Sequence, residues 1–267
     1  DIDYSLVHTG QHYDKKMSGD FFEQLNIPEP DANLNSGGGT QSEQTGAIMV
    51  RFEEYLKKNP TDLVLVVGDV TSTMACAITA QKLHVKVAHV EAGIRSHDWT
   101  MPEEINRLVT DAITNFFFTT SEIANKNLRA SGYCDDQIFF VGNCMIDTLL
   151  ANKPRFIRPS IWSELSMKEK GYFIMTLHRP ANVDEGTKLK ELMDEIINNT
   201  QEMPLVFPVH PRTKKMLNEL SIEHERLYMV DPMSYLEFNY LVERSFAVVT
   251  DSGGITEETT VFGVPCL

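Results

Sequence analysis

A chain of 267 residues, 42% of them hydrophobic, holds material for two cores of roughly 100 to 150 residues each. Its 38 acidic against 24 basic side chains give a formal charge of −14, which argues against nucleic acid or an anionic membrane as a partner. The four cysteines, Cys76, Cys134, Cys144 and Cys266, stand far apart with no CxxC pair, so they suggest neither a zinc site nor a disulfide framework and read as buried thiols of a reducing compartment. No apolar run approaches the roughly 18 residues of a membrane span, and the opening DIDYSLVHTG lacks the charged, apolar and cleavage regions of a signal peptide. The protein reads as soluble and cytoplasmic.

In chain order, the apolar runs YSLVHTG, DLVLVVGD, VKVAHVEAG, NFFFTTS and IFFVGN predict strands, and GAIMVRFEEYLKK and EEINRLVTDAI between them carry helical spacing. The strands lack a polar face, as expected where helices cover both sides of a parallel sheet. The rhythm restarts with GYFIMTLH, LVFPVH, LYMVD and FAVVTD as strands and LKELMDEIINN and YLEFNYLVERS as helices. Between the two series, ANKPRFIRPSIWSELSMKEKG is rich in charge and proline and reads as a connector. The expected organisation is an N-terminal Rossmann-like domain over 1–153, a connector over 154–170 and a C-terminal Rossmann-like domain over 171–267. The chain starts on a strand and stops where GVPCL begins another, so both ends read as cut.

In open α/β sheets ligands bind beyond the carboxyl ends of the strands. There the sequence places Asp69, His89, Glu91, His178, Arg179, His210, Asp251 and Ser252. Ser252, Gly253 and Gly254 stand where a strand turns into a helix, and outward N–H groups, a hydroxyl and the helix dipole suit a phosphate. Glu258, one turn in, can accept from ribose hydroxyls. The alternative is that Asp251 or Ser252 caps the helix and Glu257 and Glu258 offset its dipole. Upstream, Glu91 leaves a strand and Glu103 follows Pro102, with Arg95 and Arg107 nearby. A loop of that length can fold back and gather Asp69, Glu91 and Glu103 around one substrate for proton abstraction and return. Pro102-Glu103-Glu104 is also an ordinary helix start, which is the first reading of Glu103 taken alone. HExxH, the Walker lysine loop, GxGxxG and GxSxG are absent from the sequence.

The segments HTGQHYD, VVGDVTST, HVEAGIRS, MPEEINR, TLHRPANVD, PVHPR and TDSGGITEE occur in this order over nearly the whole chain. The set resembles the non-hydrolysing UDP-N-acetylglucosamine 2-epimerases. The resemblance implies an α/β fold of two doubly wound Rossmann-like domains with parallel sheets in a GT-B-like arrangement, UDP being held mainly by the second and the sugar in the cleft between them. It implies interconversion of UDP-GlcNAc and UDP-ManNAc by elimination and re-addition of UDP through 2-acetamidoglucal, with no cofactor and no metal, supplying amino sugars for surface polysaccharide. Carried onto matching positions, Asp69, Glu91 and Glu103 are the acid/base candidates and His178 assists the leaving diphosphate. His210, Ser252, Gly253, Gly254 and Glu258 hold UDP. Gln11 and His12 match a motif near which bacterial members bind a second UDP-GlcNAc as activator. A homodimer is the expected assembly.

The family's opening strand and its Gly-Thr-Arg-Pro-Glu segment would precede Asp1, and a Thr-Glu-Arg-Pro segment with the closing helices would follow Leu267. The loop from Glu91 to Glu103 is shorter than in many bacterial members, which leaves the sugar open. The competing readings are a hydrolysing epimerase, an epimerase of a related UDP-2-acetamido sugar, a GT-B glycosyltransferase and an inactive UDP-binding fragment.

Overall fold

A computed structural model of the chain describes residues 2–10, 24–177, 182, 186–209, 211–220 and 222–267, residues 211 and 212 by backbone alone. Gln11, His12, His178, Arg179 and His210 lie outside the described residues. The chain divides into two compact units, Asp1–Cys144 and Met145–Leu267.

In the first unit β3 (Leu63–Val67), β4 (Lys86–Val90), β5 (Phe116–Thr119) and β6 (Ile138–Phe140) form a parallel sheet in that order. A separate parallel pair joins β1 (Val7–His8) to β2 (Ala32–Asn33). Parallel neighbours need crossovers, which in this sheet are α2 (Thr71–Lys82), α3 (Pro102–Ala112) and α4 (Glu122–Ala130), while α1 (Gln41–Lys58) precedes β3. Helix α1 starts at a capping box in which Thr40 Oγ1 accepts from Glu43 N and Glu43 Oε2 accepts from Thr40 N. Its Ile48, Phe52 and Leu56, four residues apart, bury one stripe against Val64 and Val66 of β3 and the alanines of α2. Leu63, Leu65 and Val67, on the other face of β3, are exposed, so this strand alternates where the sequence suggested cover on both sides.

In the second unit β7 (Phe173–Thr176), β8 (Leu205–Pro208), β9 (Leu227–Val230) and β10 (Ala247–Thr250) form a parallel sheet in the order β10-β7-β8-β9, and Cys266 bridges to the outer side of β10 at Val248. The helices are α5 (Cys144–Asn152), α6 (Ser160–Glu164), α7 (Gly186–Asn198), α8 (Pro211–Glu219), α9 (Tyr235–Arg244) and α10 (Gly253–Phe262). Met175, Leu189, Met193, Leu205 and Phe207 make a core on one face, and Ile174, Val206, Leu241 and Val248 make another on the opposite face. Burial on both sides explains the unbroken apolar runs of these strands. The proline- and charge-rich stretch 154–170 joins the second core: Ile161 and Met167 are buried, and Trp162 meets the rings of Tyr172 and Tyr240 edge-on at 5.9 and 5.5 Å.

The cysteines depart from expectation. Only Cys76, within α2, is buried, and burial pushes its thiol up to about 12. Cys134 and Cys144 are exposed because they lie in a surface turn and at a helix start. No helix among the described residues is long and apolar enough to cross a membrane.

Candidate active site

Asp69 follows β3 through Gly68 and is tied to the first turns of α3. Its carboxylate accepts from Arg107 Nη2 at 2.5 Å, and its carbonyl accepts from Asn106 Nδ2 at 2.8 Å. Arg107 also donates through Nη1 to Glu104 Oε2 at 3.0 Å. Glu104 is only 2% exposed. It further accepts from Ser96 N at 2.9 Å, Ser96 Oγ at 3.0 Å and His97 N at 3.1 Å, which folds the loop after β4 back onto α3. Burial alone would raise the Glu104 pKa. The donors from Ser96, Arg107 and His97 outweigh it and hold the carboxyl down to about 2.

Glu91 leaves β4 with φ +70°, a left-handed backbone unusual for a residue with a side chain. Its carboxylate stands over Gly68, with Oε2 3.5 Å from where a Cβ on that glycine would lie. Two sequence candidates, Asp69 and Glu91, therefore flank Gly68. The third, Glu103, is half-buried in the first turn of α3, the helix whose Asn106 and Arg107 hold Asp69.

Beneath these groups lies a buried brace. His89 is fully buried within β4, its Nδ1 2.8 Å from Asp111 Oδ1 and its Nε2 2.8 Å from the Gly68 carbonyl. Asp111 also pairs with Arg95 at 2.6 Å and accepts from Gly93 N at 3.1 Å. His89, read as a strand-end residue, thus cross-links β3, β4 and α3. Gly93 has φ +80°, and a Cβ there would fall 2.5 Å from the Ala124 carbonyl oxygen, so this glycine is required by packing.

The second unit has its own focus. Strand order reverses at β7, since β8 and β9 extend the sheet on one side and β10 on the other, and such switch points open ligand crevices at the strand carboxyl ends. Thr176 and Thr250 are register partners there, with hydroxyls 2.6 Å apart, and Thr250 Oγ1 accepts from Ser252 N at 3.0 Å. Ser252 occupies the N-cap of α10 without a side-chain capping bond, so its hydroxyl is not committed to the helix. Beyond its chain neighbours and the backbone of its own helix, no atom of the described residues lies within 4 Å of a Cβ placed on Gly253. Packing among the described residues therefore gives no reason for glycine at 253, in contrast to 93. A Cβ on Gly254 would come 2.9 Å from Met145 Cε, the yielding end of a flexible side chain.

Glu258 is buried one turn into α10 and accepts from Tyr235 OH at 2.9 Å. Burial pushes its pKa up, against the smaller opposing effect of the Tyr235 hydroxyl. The Asn239 amide lies near enough to favour the charged form but outside hydrogen-bond geometry, leaving that buried amide without a partner among the described residues. Asp251 accepts from Asn182 Nδ2 at 3.1 Å.

The residues that sequence reasoning passed over are Glu104, Asn106, Tyr235 and the Thr176–Thr250 pair. Glu104 and Arg107 carried a signal, an opposite-charge pair at i,i+3. Tyr235 carried none, because its partner lies 23 residues away.

Parallel α/β units with carboxylates at the strand ends of one, and a switch-point helix N-terminus in the other, define a Rossmann-like enzyme fold suited to a phosphorylated ligand. Residues 1–267 match the family described as UDP-N-acetylglucosamine 2-epimerase. A relative of that name from Methanocaldococcus jannaschii is 41% identical over 100% of this chain and 75% of its own length. A UDP-2,3-diacetamido-2,3-dideoxy-D-glucuronate 2-epimerase from Pseudomonas aeruginosa is 41% identical over 98% of this chain and 73% of its own. The crystal structure of the M. jannaschii UDP-GlcNAc 2-epimerase in complex with UDP-GlcNAc and UDP superposes with a TM-score of 0.88 at 40% identity, covering 99% of this chain and 75% of that one. The chain belongs to the UDP-N-acetylglucosamine 2-epimerase family and is an epimerase, an isomerase by class.

Proposed function

We propose that the enzyme interconverts UDP-GlcNAc and UDP-ManNAc by inverting C2 of the sugar without net hydrolysis. A carboxylate removes the C2 proton while the C1–O bond to UDP breaks and C1=C2 forms, giving bound 2-acetamidoglucal and UDP. A proton delivered to the other face of C2 and re-addition of UDP at C1 complete the inversion. The C2 proton has no adjacent carbonyl to acidify it, so its loss depends on departure of the diphosphate and on stabilising the charge that develops there.

The observation that carries this reading is the pairing of Asp69 and Glu91 around Gly68, the one fixed by Arg107 and the other on a left-handed backbone. Asp69, Glu91 and Glu103 serve as proton donors and acceptors. The uncommitted Ser252 hydroxyl and the open N-terminus at Gly253 and Gly254 support a role in holding the diphosphate, with Glu258 at the ribose. His178 assists the leaving diphosphate and His210 binds UDP, both roles resting on motif resemblance.

Incubation with UDP-GlcNAc followed by NMR tests the proposal. The expected product is UDP-ManNAc with its diphosphate ester intact. Free ManNAc with stoichiometric UDP would identify a hydrolysing epimerase, and sugar transfer that depends on an acceptor and leaves C2 unchanged would identify a transferase. The 41% identity to the Pseudomonas enzyme supports one second reading, the same inversion on a UDP-2,3-diacetamido uronate. Comparing kcat/KM for the two substrates separates them.

A further inference from the structure

Resting on the epimerase reading above, we infer that Glu104, not one of the proton-transferring carboxylates, is the positioning residue of the site: it locks the loop after β4 and one arm of Arg107 so that the other arm fixes Asp69.

The geometry assigns each oxygen. Glu104 Oε2 accepts from Ser96 N, Ser96 Oγ and Arg107 Nη1, and Oε1 accepts from His97 N. Four donors on a carboxylate that is 2% exposed leave it neither the access nor the freedom to exchange protons with a substrate. Its neighbour Glu103 is the more open of the two. The donors converge from two directions. Ser96 and His97 belong to the loop that separates Glu91 from α3, and His97 holds a left-handed backbone, φ +59°, that its N–H bond to Glu104 supports. Arg107 comes from the helix itself, one turn on, and spans Glu104 and Asp69 with its two terminal nitrogens. A guanidinium held at one end presents its other nitrogen in a fixed plane, so the Asp69 carboxylate is set by a partner that Glu104 has already immobilised. Reacting groups tolerate little misplacement, and a shift near 1 Å can cost about 10²-fold in rate.

A double-mutant cycle tests this on the whole protein. Epimerisation kcat and KM, and UDP affinity by calorimetry, are measured for the unmodified enzyme, Glu104→Gln, Arg107→Lys and the double variant. Glu104→Gln should lower kcat by about 10- to 100-fold, with KM and UDP affinity within about threefold, and should add little once Arg107 is lysine. A wild-type kcat in Glu104→Gln, a loss confined to KM, or losses that multiply in the double variant would overturn the inference. If Glu104→Gln does not fold, Ser96→Ala decides, because Ser96 is exposed and only one donor is removed. Its kcat should fall about threefold or more at unchanged KM, and unchanged kcat would be fatal. Absence of turnover by the unmodified protein would count against the epimerase reading. The positioning claim then rests on a crystal structure of Ser96→Ala, which must show Arg107 displaced from Asp69; an Arg107–Asp69 contact still at 2.5 Å refutes it.

Discussion

Glu91 holds φ +70° immediately after a buried strand, where a glycine would be cheaper by about 1 to 3 kcal/mol. Its carboxylate reaches Gly68 beside Asp69, a position that fits the proton-transfer role proposed for it. Glu91→Gly should therefore raise or preserve the melting temperature while lowering epimerisation by about 10²-fold or more. A destabilised protein with near-normal turnover would assign Glu91 to the fold. Glu104 makes the opposite contribution, since its folded pKa of about 2 lies below the ordinary 4.5. The unfolded chain binds that proton more readily, so the stabilisation is complete above pH 4.5 and is lost as pH falls from there towards 2. A shift of this size is worth about 3 kcal/mol. The stability difference between wild type and Glu104→Gln, measured by urea unfolding, should shrink by that order across the window, and a difference independent of pH would contradict it.

At the scale of elements, the ligand role proposed for Gly253 at the start of α10 contrasts with Gly93 after β4, which packing requires. A Cβ at Gly253→Ala meets no described atom beyond its own helix, so stability should hold or rise by about 1 kcal/mol or less, while UDP affinity drops about tenfold or more. Equal losses in stability and affinity would mean that 253 is a structural position. The strands of the second unit were legible because both faces are buried, α3 was legible from Pro102 and its helical spacing, and α9 from the helical spacing of YLEFNYLVERS. Helix α6 was not, because Ile161, Trp162 and Met167 are few among charges and only tertiary packing reveals their direction. The same holds for Glu103 and Glu104: neighbours on one helix turn, they differ in role only because a loop folds back onto one of them. Asp69 and Glu91 were legible as strand-end residues. Glu258 was legible as a carboxylate one turn into a helix, but its burial beneath Tyr235 was not.

At the scale of the molecule, a chain of charge −14 must recognise a diphosphate through local donors, since its overall field repels anions. UDP at 100 times its dissociation constant should stabilise the unit that holds it by about 2.7 kcal/mol. Hydrogen exchange should then slow at residues 250–258 and in α9, and protection confined to the first unit would place UDP elsewhere. Proton exchange at C2 by the carboxylates beside β3, β4 and α3 is the central step of the proposed reaction. Turnover of UDP-GlcNAc in deuterated water measures it directly. The expected product is UDP-ManNAc carrying deuterium at C2, with incorporation reduced by about 10²-fold or more in Asp69→Asn. Rapid inversion with full retention of protium at C2, or undiminished exchange in Asp69→Asn, would contradict it.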